Sequence, residues 1–286
     1  MMINPQKILH LAVTIAAVLL SSCSQEETPG DSGKHPLVLQ ATIAAQESRA
    51  STTLQTDKVD AKVTLGVFAT DAGGNVVGEN VPYSYDSETG QWKASGSAIY
   101  FPMDGKSIDI EVYAPYDASI TTIPAVLTPK SDQSSDADYL ASDLLGGSLN
   151  NVGYNATAVD VTLQHLMAKV TVIITAGGGV TDADIEGAKL EIGGIKATLP
   201  TGETSASVIV KPGQTVAAGT EFFTIELASM LCSYVLPGDL SLDKGKEYIY
   251  RFTITGTKLE FDSMSVTDWS AGTTGEDNSI MLPGDE

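Results

Sequence analysis

Side chains able to act as nucleophiles, general bases or metal ligands are sparse and scattered along this chain. Its 286 residues include two cysteines, Cys23 and Cys232, and three histidines, His10, His35 and His165. A zinc-type site takes three or four Cys, His or carboxylate ligands, so His and Cys alone offer almost nothing to build one. Cys232 stands in the apolar stretch Met230-Leu231-Cys232 and reads as a small buried hydrophobe. The acid pairs Asp136/Asp138 and Asp182/Asp184 have a spacing usable for acid–base work or calcium binding. In polar loops of an acidic chain, however, carboxylates are ordinarily just solvated. The stretch Asp71 to Asn80 has calcium-loop residue types but neither the spacing of an EF-hand nor its closing glutamate. His165 lies in a strand-like run with no assignable serine or cysteine nucleophile, and reads as a structural histidine. No Walker loop, Rossmann glycine fingerprint, G-x-S-x-G elbow or H-E-x-x-H occurs. The expectation is a protein that is not an enzyme, with no cofactor and no metal site.

The cysteine with a clear chemical context is Cys23. Lys7 precedes an apolar run of thirteen residues, Ile8 to Leu20, followed directly by Leu20-Ser21-Ser22-Cys23. A bilayer span takes roughly 20 apolar residues, so a run of this length suits the core of an export signal instead. The four residues resemble the bacterial lipobox, in which a cysteine thiol is acylated and then becomes the mature N-terminus. Residues 1–22 are thus expected to be a lipoprotein signal peptide. Acyl chains on Cys23 would hold the chain to outer-membrane lipid, each buried methylene contributing about 0.8 kcal/mol. Ser24-Gln25-Glu26-Glu27 is similar to the acidic tag that directs such lipoproteins to the cell surface. Residues 23–36 are polar and rich in Gly and Pro, as expected of a flexible tether.

The formal net charge is −20, and loss of residues 1–22 would make it one unit more negative. Such a surface repels phosphates, which argues against nucleic acid as a partner. The length suggests two domains. Period-two alternation dominates: Val63/Leu65/Val67/Ala69, Ile108/Ile110/Val112/Ala114, Val159/Val161/Leu163 and Tyr248/Tyr250/Phe252/Ile254 each present one apolar face. Turn clusters such as Asp71-Ala72-Gly73-Gly74-Asn75 and Asp243-Lys244-Gly245-Lys246 separate these runs. Helix is expected only over 136–145, with Asp136 as a candidate N-cap, and as one turn within 181–189. Many short strands with few short helices predict an all-β fold of antiparallel β-sandwich domains. The near-continuous strand-like run 159–175 places a domain border near His165, giving domains 37–164 and 165–286. Trp92, Tyr83, Tyr85 and Tyr100 raise an aromatic glycan platform as an alternative use of strand aromatics, with core packing as the default.

Several stretches in order resemble the fimbrillin superfamily of Bacteroidales, the type V pilins and their Mfa-like relatives. They are Ile99-Tyr100-Phe101-Pro102-Met103-Asp104-Gly105 with Tyr113-Ala114-Pro115-Tyr116, then Asp138-Tyr139-Leu140-Ala141-Ser142, then His165-Leu166-Met167-Ala168-Lys169-Val170. Gly245-Lys246-Glu247-Tyr248-Ile249-Tyr250 and Val266-Thr267-Asp268-Trp269 complete the set. The resemblance implies two tandem transthyretin-like sandwiches and a structural subunit of a cell-surface fimbria that mediates adhesion. It also implies assembly in which an arginine-specific protease removes the first strand and a strand from another fimbrial subunit takes its place. An open groove of unpaired backbone groups over an apolar floor would be satisfied by such a strand.

The chain has two arginines, and Arg49, in the polar link after the run Leu37 to Ala45, matches the position of that processing site. Cleavage there would leave Ala50 as the new N-terminus. Leu37, Leu39, Ala41 and Ile43 would be the apolar face of the removable strand. The candidate donor strand is the stretch around Ile280 and Leu282, which Pro283 interrupts. The alternative is a monomeric surface lipoprotein of the same fold that binds a glycan or a host protein.

Overall fold

The computed structural model describes residues 33–43, 59–155, 157–227, 230–256 and 258–269. Alternation of apolar and polar residues sets strands such as Leu39–Ile43, Val159–His165, Lys189–Ile192 and Ile195–Thr198, as their burial patterns show. The first half holds β1 (Leu39–Ile43), β2 (Leu65–Asp71), β3 (Val76–Asp86), β4 (Gln91–Ala94) and β5 (Ile108–Ala114). Helix α1 (Asp136–Ser142) and strands β6 (Leu145–Val152) and β7 (Val159–His165) follow. The seven strands lie side by side in the order β1-β4-β3-β2-β5-β6-β7 and close on themselves as a barrel. The alternating residues read from the sequence fill its interior: Leu65, Val67, Ala69, Ile108, Ile110, Val112, Val161 and Leu163 are all buried.

The second half begins two residues later. It comprises β8 (Ala168–Gly177), helix α2 (Asp182–Ile185), β9 (Lys189–Ile192), β10 (Ile195–Thr198), β11 (Ser205–Val210) and β12 (Gln214–Val216). The remaining strands are β13 (Glu221–Leu227), β14 (Met230–Val235), β15 (Leu240–Leu242), β16 (Lys246–Thr255) and β17 (Lys258–Asp268). Two four-stranded sheets, β10-β9-β13-β14 and β11-β8-β16-β17, accompany a two-stranded ribbon of β12 and β15. Their shared core contains Val170, Val172, Ile174, Phe223, Ile225, Tyr250 and Phe252, with the Phe223 and Phe252 rings stacked 5.1 Å apart.

The fold is all-β, as the sequence predicts, but not wholly antiparallel. β1 runs parallel to β7, and β8 runs parallel to β16. Neither pair is joined by a hairpin; several other strands intervene in the chain, which is what a parallel pairing requires. Two local expectations also change. The N-cap of α1 is Ser135, whose hydroxyl accepts from Asp138 N–H, so Asp136 lies one residue inside the helix. Tyr113, on the face of β5 expected to meet solvent, is fully buried because the segment after β5 folds back over it.

That segment, between β5 and α1, reaches across to the second half. Lys196 N–H donates to Ser131 C=O (2.9 Å) and Gln133 N–H donates to Lys196 C=O (2.8 Å), adding a short rung to the edge of β10. The Gln133 side chain then pairs with the edge of β11: its Nε2 donates to Ile209 C=O and its Oε1 accepts from Ile209 N–H, both at 2.8 Å. A primary amide reproduces the donor and acceptor of a peptide group, so one side chain serves both backbone groups of Ile209.

Candidate functional site

Among the acids singled out in the sequence, Asp71, Asp138 and Asp184 are occupied as turn and cap groups. Asp71 Oδ1 accepts from Gly73 N–H (2.8 Å) and Asn75 N–H (2.9 Å), and Asn75, through its side chain and its N–H, holds the Asp71 carboxyl below the usual carboxylate range. Asp138 bonds the Ser135 hydroxyl at the start of α1, and Asp184 bonds Thr181 at the start of α2. Of the aromatics, Trp92 and Tyr83 are buried in the barrel, and Tyr85 and Tyr100 are partly exposed. Cys232 is buried.

The first strand and the residues just ahead of it belong to the barrel core. Leu37, Leu39, Ala41 and Ile43 all point inward and are buried in the barrel core, while Gln40 and Thr42 face solvent. β1 pairs with β7 over all five of its residues but meets β4 at the single pair Leu39–Trp92. Ahead of β1 the chain continues the rung pattern. Leu37 N–H donates to Ile99 C=O (2.8 Å), Phe101 N–H donates to His35 C=O (2.9 Å), and Val159 N–H donates to Val38 C=O (2.8 Å). The buried Tyr83 hydroxyl donates to Leu37 C=O (3.2 Å); desolvation raises the pKa of that phenol well above its ordinary value. Complete burial of a Leu or Ile side chain contributes about 1.5–3 kcal/mol. Three of them approach the whole stability of a small domain, about 5–15 kcal/mol. These residues therefore make a large contribution to the stability of the barrel. Cys23, Arg49, Ala50, Ile280 and Leu282 lie outside the described residues.

A second polar centre, which sequence reasoning did not assemble, lies where the two halves meet. His165 Nδ1 is 2.9 Å from Asp143 Oδ1, with both side chains fully buried. The His165 ring stacks on the indole of Trp269 at 3.7 Å and 8°. Lys169 pairs with Glu247 at 3.0 Å, also buried, and its Nζ sits 5.7 Å from the Trp269 ring. Thr171 donates to Glu247 (2.6 Å) and shares a 2.8 Å hydrogen bond with Ser207. Tyr139 is enclosed beside them; burial, with Asp143 and Glu247 nearby, pushes its phenol far above its ordinary range. Trp269 N–H donates to Gly245 C=O (2.7 Å) and Gly245 N–H donates to Met167 C=O (2.8 Å). A His–Asp pair activates a nucleophile only where substrate can reach it, and this one is sealed under Trp269. Four stretches recognised separately in the sequence, 138–142, 165–170, 245–250 and 266–269, thus converge on one cluster. The signal was their joint occurrence; Asp143 itself carried none.

The described chain is thus an all-β barrel closed by a short first strand and packed against a second β unit. The fimbrillin-like family profile matches residues 48–198, more than half of the chain, and the protein belongs to that family. It is similar to a Bacteroides uniformis protein provisionally named fimbrium subunit Fim1C, at 26% identity over 307 aligned positions covering 93% of this chain and 96% of the relative. Two crystal structures share the fold, both of provisionally named cell adhesion proteins. One, from Bacteroides ovatus, has a TM-score of 0.61 and 14% identity, covering 82% of this chain and 98% of that one. The other, from Bacteroides uniformis, has a TM-score of 0.56 and 21% identity over the same shares.

Proposed function

We propose that this protein is a structural subunit of a cell-surface fimbria, assembled by donor-strand insertion after proteolysis and mediating adhesion, without enzymatic activity. Membership of the fimbrillin-like family and similarity to Fim1C support the fimbrial role. In this reading residues 37–164 and 165–286 form the two transthyretin-like sandwiches, the first with its edges joined by β1. Acylated Cys23 holds the precursor in the outer membrane. An arginine-specific protease then cuts after Arg49, Ala50 becomes the N-terminus, and the strand bearing Leu37, Leu39, Ala41 and Ile43 leaves. A strand from another subunit, with the stretch around Ile280 and Leu282 as this chain's own candidate, fills the gap.

The observation that carries the reading is the placement of β1. Its three inward side chains, with Leu37 just ahead of it, are core residues, yet it is short and pairs along its full length with one neighbour only. Departure of β1 would bare apolar floor and the backbone groups of β7 together, and an extended segment is the occupant that satisfies both. The test is mass spectrometry of the N-terminus of protein taken from the native cell surface, beside an Arg49→Ala variant. The expected result is a chain starting at Ala50, with SDS-resistant ladders that the variant abolishes. A chain starting only at acylated Cys23, without ladders, would overturn strand exchange and favour a monomeric surface binder.

A further inference from the structure

Resting on the strand-replacement reading above, we infer that the acceptor groove extends beyond the barrel into a ring-binding site formed by Tyr154 and Phe101. The incoming strand of the partner subunit is thereby selected for a planar side chain two residues ahead of its first buried residue.

The segment now occupying the groove does not stop at β1. His35 lays its imidazole on the Tyr154 ring at 3.8 Å and 22°, and Tyr154 in turn meets the Phe101 ring edge-on at 5.9 Å and 71°. One residue earlier, Lys34 Nζ lies 5.5 Å from the centroid of Tyr100. The backbone holds this arrangement in register, through Phe101 N–H to His35 C=O and through a bridge between Pro36 and Tyr100. Tyr154 remains 49% exposed and Tyr100 36% exposed with the segment in place, and Met103 beside them in sequence is 77% exposed.

Cleavage after Arg49 would take Lys34 and His35 away with β1. Phe101 N–H, Ile99 C=O and the Tyr154 ring would then lose their partners together, so the vacated groove is longer than the five-residue strand. Leu37, Leu39, Ala41 and Ile43 require only alternating apolar side chains, which many strands possess. The ring site adds a demand that few meet by chance. A face-to-face contact at this distance accepts an imidazole, an aromatic ring or a guanidinium plane and gains little from an aliphatic side chain. The partner is accordingly a strand in which such a residue stands where His35 now stands, two positions before the residue that replaces Leu37.

The test uses the full chain nicked at Arg49 by an arginine-specific protease, since Arg251 lies within β16, which is flanked by β8 and β17. Labelled peptides with the sequence of residues 34–45, and the same peptides carrying H35A or H35F, are exchanged into it and their dissociation is followed. A stacked ring at an exposed site predicts about three- to tenfold faster loss of the H35A peptide and about unchanged loss of the H35F peptide. In a Tyr154→Ala protein the peptides should leave at equal rates. Equal rates from the unaltered protein would overturn the ring site while leaving the groove standing. Failure of every peptide to exchange, the unaltered one included, would overturn the groove and the ring site with it.

Discussion

The indole of Trp269 and the imidazole of His165 lie face to face, 3.7 Å apart and 8° from parallel, although 104 positions separate them in the chain. The contact joins the residue directly after β17 to the end of β7, and both rings are sealed from solvent. Trp269 also covers the Lys169–Glu247 pair, so one side chain shields both the His165–Asp143 contact and a buried ion pair from water.

Trp269→Ala should therefore destabilise the fold by about 3–5 kcal/mol, the range for deleting a buried aromatic side chain. Trp269→Phe, which keeps a ring against His165, should lose less than half as much. Chemical denaturation followed by circular dichroism checks both, and near-wild-type stability of the alanine variant would contradict the shielding role.

Lys169 and Glu247 make a separate prediction. Removing one buried partner strands the other, so Lys169→Met should cost about 3–5 kcal/mol. The double variant Lys169→Met/Glu247→Leu removes both charges and should recover most of that loss, although Thr171 then keeps only Ser207 as a hydroxyl partner. A double-mutant cycle on unfolding free energies reads the coupling.

Gly66 lies against the ring of Tyr113, and a Cβ built there would clash with its Cε1. The Tyr113 hydroxyl is tied to Asn80 Oδ1 at 2.7 Å, which limits how far the ring can yield. Gly66→Ala should cost about 1–3 kcal/mol through overpacking. Combined with Tyr113→Ala, the same change should cost much less, a non-additivity measurable by thermal unfolding.

Acid sensitivity has a defined contributor in Asp86. A hydrogen bond from Lys93, with further bonds from Glu88 N–H and the Thr89 hydroxyl, lowers its carboxyl from 3.8 to about 2. A carboxylate depressed in the folded state contributes stability above its unfolded value, and that contribution is lost as pH falls through the folded value. The loss should thus fall between about pH 4 and pH 2, and Asp86→Asn should flatten that part of the curve. Denaturant midpoints across this window, for both proteins, provide the measurement.

Period-two patterning made the barrel interior and the β8–β16 core legible before any coordinates, because each strand buries one face. It failed at Tyr113, whose second face is covered by a segment that carries no periodic signal. The parallel pairing of β1 with β7 was equally hidden, since alternation reports which face is buried and not which strand lies alongside. His165 could be read as structural, but its partners Asp143 and Trp269 are distant in sequence and meet only through the closure of two separate sheets. Ser135 rather than Asp136 caps α1 for a local reason: both residue types cap well, and sequence alone does not fix the residue at which the chain first turns helical.

The parallel pairing of β1 and β7 carries a consequence for assembly. β1 runs parallel to β7 on one side and antiparallel to β4 on the other, so a strand replacing it in kind would enter in that same direction. Were subunits joined through this position, as proposed above, each contact would be head-to-tail and none self-complementary, so all would face the same way. A fibre built so would have two chemically distinct ends, one presenting a vacant socket and the other an unspent strand, and would elongate and be capped at different places by different molecules.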